Sequence, residues 1–321
     1  MKIESTHLES ESFENHLNKS SLSSFDPFFE KTISFQHARE ALLIWASLFF
    51  VCFVFCQGSV YVYAFLFLPS GQLSPSEAVF LLDSPPSIAF QVLMASLTYL
   101  FATFIVIQKH QLNIGKSLFS RKINPLALLC GTLSVLSSAL LVDQILWYID
   151  DKINFFPLEN GLTHTLFNLN LADILAQIDQ VNFISYSILV MVVIFLSPVF
   201  EEIFFRGLLL KAFTEKWGSV MASLISSFFY AISQFDLLKG INAFLLGIIY
   251  AYTVCTTGSV WAACLAHIVL SATTFWLSDE GFTYGIGGES YPISWVALAL
   301  FFLLKSLILL RILRKAPQAE S

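Results

Sequence analysis

The stretch Ser197-Pro198-Val199-Phe200-Glu201-Glu202-Ile203-Phe204-Phe205-Arg206 sets two acids and a base inside an apolar run long enough to cross a bilayer. Each such charge costs roughly 2.5–3.5 kcal/mol at the centre of a spanning helix, so the three together call for a protein-lined, wet cavity within the membrane. That cavity is the candidate functional site. At about 100° per residue, Glu202 and Arg206 fall one turn apart on one helix face and neutralise each other, while Glu201 points away from both. One carboxylate is left over. Pro198 removes a backbone donor and clashes one turn back, which predicts a kink just before the acids and a freed carbonyl. A structural ion pair at a helix end is the plainer reading, but it has no use for the second Glu.

Working outward, the surrounding composition is that of an integral membrane protein. Of 321 residues, 56% are hydrophobic and only 12% charged, and the mean hydropathy is +0.72. Apolar segments fall at about 41–68, 87–107, 126–149, 181–210, 220–235, 241–256, 259–277 and 293–313. Several exceed the ~20 residues that carry a helix across ~30 Å of hydrocarbon, and none alternates as an outer-membrane strand does. The fold class is therefore all-α, a polytopic membrane helical bundle of about eight transmembrane helices. It divides into a polar tail (1–40), three helices with their loops (41–180), a core (181–277), and a last helix with a basic tail (278–321). No basic start followed by an apolar run opens the chain, so no cleavable signal peptide is expected.

Charge placement orients the bundle. The loop 69–86 has no Lys or Arg, whereas 108–125 holds Lys109, Lys116, Arg121 and Lys122. By the positive-inside rule the second loop is cytoplasmic, and eight crossings put both termini there too. The acidic loop 150–180 then faces outward. The net charge of −6 says less than this asymmetry, and no nucleic-acid partner is expected. The five cysteines lie in apolar segments without a CxxC pair and read as small core residues. Asp143 and Lys305, near segment ends, read as interfacial or structural. Trp45, Trp147, Trp261, Trp276 and Trp295 read as interfacial anchors.

Segments 220–235 and 241–256 are short. Sixteen residues reach about 24 Å as a helix, so the two form a hairpin that stops short of the outer face, a second hint of an interior cavity. Two further helix faces carry polar pairs at four-residue spacing: His267 with Ser271, and Tyr230 with Gln234. Such pairs also serve as packing glue between membrane helices.

Pro198 to Gly207, then Ser226 to Gln234, then Thr257-Gly258-Ser259-Val260-Trp261 with His267, together resemble the CPBP family of intramembrane proteases, which includes the CAAX prenyl endopeptidases, abortive-infection proteins and bacteriocin-immunity proteins. The similarity covers about 181–277. The resemblance implies an eight-helix bundle whose conical cavity opens to the cytoplasm, and it maps the family's EExxxR element onto Glu201, Glu202 and Arg206. Its FxxxH element falls on Tyr230 and Gln234, its HxxxN element on His267 and Ser271. In the family the first Glu activates water, the FxxxH His helps hold or activate that water, and the HxxxN pair is thought to stabilise an oxyanion.

Three positions depart from the pattern: Tyr230 for Phe, Gln234 for His, and Ser271 for Asn. Gln cannot take up and return a proton as imidazole does, and a general acid–base group contributes about 10²–10⁴-fold. No HExxH is present, and with Gln234 in place of a second His the ligand set for catalytic zinc is incomplete, so no cofactor or metal is expected. The leading expectation is an intramembrane endopeptidase in which Glu201 deprotonates water, Gln234 positions it, His267 and Ser271 support the oxyanion, and Glu202 with Arg206 holds the kinked helix. Its partners would be a peptide or membrane-protein substrate and the bilayer. The alternative is a catalytically silent binding or immunity protein using the same cavity. A small transporter also fits buried charges and short helices, but no internal repeat supports it.

Overall fold

The computed structural model of the chain describes residues 33–67, 85–112, 124–153, 183–234, 237–279 and 291–315, and the regular structure among them is helical. In order these are α1 (Phe35–Phe67), α2 (Pro85–Lys109), α3 (Pro125–Ile153), α4 (Phe183–Val190), α5 (Ser197–Glu202), α6 (Leu210–Ile232), α7 (Leu237–Thr257), α8 (Val260–Asp279) and α9 (Ile293–Lys315). Two π-helical segments, Met191–Leu196 and Ile203–Leu209, join α4 to α5 and α5 to α6. The tail up to residue 32, most of the loops 69–86 and 150–180, and Asp236 lie outside the described residues.

Among the described residues, six helical runs are long and apolar enough to cross a membrane: Phe35–Phe55, Phe90–Lys109, Pro125–Ile149, Ser187–Ile232, Lys239–Thr257 and Ile293–Arg314. Val260–Phe275 is a shorter apolar helix. The protein is thus a polytopic membrane helical bundle, with six such runs where the sequence suggests about eight segments. Part of the difference lies in the run Ser187–Ile232, whose 46 residues are too many for one straight crossing. The chain reverses within it at Gly218, whose φ of 74° and ψ of 167° lie in a region open essentially to glycine alone. The two arms then lie side by side, with Phe213 against Phe229 at 6.1 Å and Phe205 against Tyr230 at 5.1 Å between ring centroids.

Helix α5 packs between α2 and α8, while α3 packs against α7, α8 and α9. Small hydroxyls bind the second group, Ser134 on α3 meeting Ser306 on α9 at 2.7 Å. Outward faces are apolar: Leu298, Phe301, Leu304, Ile308 and Ile312 recur at helical spacing along α9, each more than half exposed, as lipid contact requires. Asp143 takes a structural place, and Lys305 packs on a ring of its own helix. Asp143 accepts from the Tyr291 hydroxyl at 2.9 Å, fastening α3 to the entry of α9, and exposed Lys305 lies over the Phe301 ring. Trp45 departs from expectation. Instead of anchoring at an interface it is 7% exposed, stacked on Tyr99 at 5.7 Å and against Phe204 at 6.0 Å. Its ring fills the gap between α1, α2 and the second π-helical segment, which an apolar surface of that size stabilises more than interfacial contact does.

Candidate active site

The two acids sit on a single α-helical turn between two wider ones. Ser197 N–H bonds back to Val192 O and Leu210 N–H to Phe205 O, each five residues earlier. Proline at position 198 cannot donate to the preceding turn, so the expected disturbance of the ladder takes this π-helical form, a feature frequent at functional sites.

Glu202 and Arg206 form the predicted pair. Arg206 Nη1 donates to Glu202 Oε1 at 3.1 Å, and both side chains are fully buried. The same carboxylate oxygen faces His267 Nδ1 at 3.0 Å, because α8 runs alongside α5. The guanidinium lies in an aromatic box, 4.5 Å from the Tyr230 centroid and 5.1 Å from that of Tyr250. Tyr250 in turn stacks on His267 at 5.0 Å. Gly247 makes room for this arrangement: a Cβ there would sit 2.9 Å from Ser227 Oγ and 3.0 Å from Arg206 Nη2. Glu202 Oε2, Arg206 Nε and Nη2, Ser227 Oγ and Tyr250 Oη have no hydrogen-bond partner among the described residues.

Glu201 is the acid outside this knot. Half-buried, it accepts from Ser197 Oγ at 2.8 Å one turn back. Tyr230, His267 and Glu202 are its ionisable neighbours. Tyr99, from α2, packs on the turn just after the acids, 5.4 Å from Phe204 and 5.3 Å from Phe205 between ring centroids. Of the six residues singled out in the sequence, Arg206 and His267 therefore each bond to Glu202, and Glu201 stands beside them. Gln234 and Ser271 do not join. Gln234 lies just past the end of α6, half-buried, its backbone N–H bonding to Ala231 O. Ser271 is half-buried one turn beyond His267 on α8, and neither side chain makes a hydrogen bond among the described residues.

Several neighbours escaped the sequence reading. Ser197 stands four residues before Glu201, the spacing that reveals Glu202 and Arg206, so it was open to the same argument. Tyr99, Ser227, Gly247 and Tyr250 lie on other helices amid apolar residues and carry no such signal. Among the described residues no group of three or more His, Cys, Asp or Glu side chains is placed to hold a metal ion.

No curated protein and no solved structure matches the chain. Residues 183–273 match the family model described as Type II CAAX prenyl endopeptidase Rce1-like, in agreement with the CPBP-family resemblance that the motifs carry.

Proposed function

We propose that the chain is an intramembrane endopeptidase that hydrolyses a peptide bond with a glutamate-activated water. The observation that carries this reading is the bond between His267 and Glu202, with a second carboxylate, Glu201, beside it. Glu201 takes a proton from water as the oxygen adds to the scissile carbonyl carbon, and the carbonyl electrons move onto oxygen. Glu202 accepts from the Nδ1–H of His267 and holds the ring; the doubly protonated ring presents its Nε2–H to the oxyanion, with the Ser271 hydroxyl one turn on as a second donor. The proton held by Glu201 passes to the amide nitrogen as the C–N bond breaks. The substrate is a peptide or membrane-protein segment entering a cavity from the cytoplasmic side, with both chain termini on that side of the cell membrane.

The test uses purified protein in liposomes with quenched-fluorescence CAAX peptides, prenylated and unprenylated. Wild type cleaves one of them, and Glu201→Gln does not while unfolding at the same temperature. Equal cleavage by both chains removes Glu201 from the mechanism. A second reading, a catalytically silent protein that binds a peptide or lipid in the same place, is favoured by the side chains of Gln234 and Ser271, which make no bond to the cluster. Under it, wild type is inert and Gln234→His gains activity.

A further inference from the structure

Hydroxyls on the membrane helices of this chain commonly turn back to their own backbone. Ser96, Thr103, Thr132, Ser138, Thr214 and Thr253 each donate to the carbonyl four residues earlier, at 2.6–3.0 Å, the usual resort of such side chains within a helix. Ser197 does the reverse. Buried, and helical at φ −59° and ψ −52°, it donates forward to Glu201 Oε1 at 2.8 Å. It stands where the ladder is disturbed, its own N–H bonding five residues back to Val192 O and Pro198 beside it having no N–H to give. One turn separates Ser197 from Glu201, so their side chains share a face, while Glu202, about 100° further round, turns to Arg206 and His267. The hydroxyl thus serves the acid that the ion pair leaves out, and a bond to an ionised carboxylate is roughly twice as strong as a neutral one.

We propose that Ser197 is a positioning residue for the reaction, its hydroxyl holding Glu201 Oε1 so that Oε2 is the oxygen that takes the proton from water. This rests on the endopeptidase reading and gives each acid its own orienting partner. Glu202 is held by Arg206 and directs His267; Glu201 is held by Ser197 and faces the substrate.

The test compares wild type, Ser197→Ala, Ser197→Cys, Ser197→Thr, Glu201→Gln and Ser138→Ala in liposomes with the same peptides, kcat being referred to folded protein. Expected for Ser197→Ala is a loss of kcat of roughly 10²-fold with KM unchanged, the size of a reacting group let out of line. Ser197→Thr keeps a hydroxyl on the same carbon and most of kcat; Ser197→Cys, close in volume but a weak donor, falls between. Ser138→Ala removes a back-bonded hydroxyl on α3 and keeps wild-type kcat. A readout independent of turnover is the infrared carboxyl band that Glu201→Gln abolishes: Ser197→Ala and Ser197→Cys shift it, and Ser138→Ala does not. Should Ser197→Ala fail to fold, Ser197→Cys carries both readouts. An unshifted band, or wild-type kcat without the hydroxyl, overturns the inference while leaving the endopeptidase reading intact. Wild-type cleavage no greater than that of Glu201→Gln overturns that reading and the catalytic part of this one, even with a shifted band.

Discussion

His267 Nδ1 and Glu202 Oε1, 65 positions apart in sequence, lie 3.0 Å from each other. A carboxylate paired with a guanidinium only accepts, so the proton of this bond resides on Nδ1. Arg206 and His267 converge on one oxygen of Glu202, which ties the helix carrying the acids to α8. The same arrangement of an acid behind an imidazole orients the ring in unrelated hydrolases.

Removing one partner of the fully buried pair leaves the other charged and unpaired. Arg206→Ala is expected to cost about 3–5 kcal/mol, measured as denaturant unfolding in detergent. Arg206→Ala combined with Glu202→Gln recovers part of that loss, since the stranded charge is gone.

The ion pair between α1 and α2 has the opposite character. Lys109 meets Glu40 at 3.0 Å, but its side chain is 58% exposed. Lys109→Ala should change stability by under about 1 kcal/mol in the same unfolding assay, the range of exposed pairs.

Gly218 turns the chain between the two arms of the acid-bearing hairpin with a φ of 74°. Gly218→Ala forces a Cβ into that conformation at a cost on the order of 1–3 kcal/mol. Thermal unfolding shows the loss, and cleavage falls with the folded fraction without a change in KM.

At Gly247 the limit is space. An added methyl would lie 2.9 Å from Ser227 Cβ and 3.0 Å from Arg206 Nη2, so Gly247→Ala is expected to destabilise by about 1–3 kcal/mol through overpacking. Ser227→Gly in the same chain vacates the nearer contact. The two substitutions together should cost less than the sum of their separate effects, a coupling that a double-mutant cycle measures.

The sequence alone determined the helices and one pair. Apolar runs of membrane length dictate helices because backbone groups in hydrocarbon must bond within their own segment, and a four-residue step puts Glu202 and Arg206 on one face whatever surrounds them. Asp143 near a segment end was likewise legible, as was the break between the arms of the hairpin, where Lys211, Lys216 and Gly218 interrupt the apolar run. Tertiary structure decided the rest. His267 reaches Glu202 and not some other acid because α8 packs on α5, and Tyr99, Tyr230 and Tyr250 arrive from three other directions, so no spacing along one helix encodes their meeting. Trp45 shows the same limit from the opposite side. Its sequence position suits a membrane interface, but packing against Tyr99 and Phe204 draws it into the core, because contacts between helices depend on which faces meet and local sequence specifies only which faces exist.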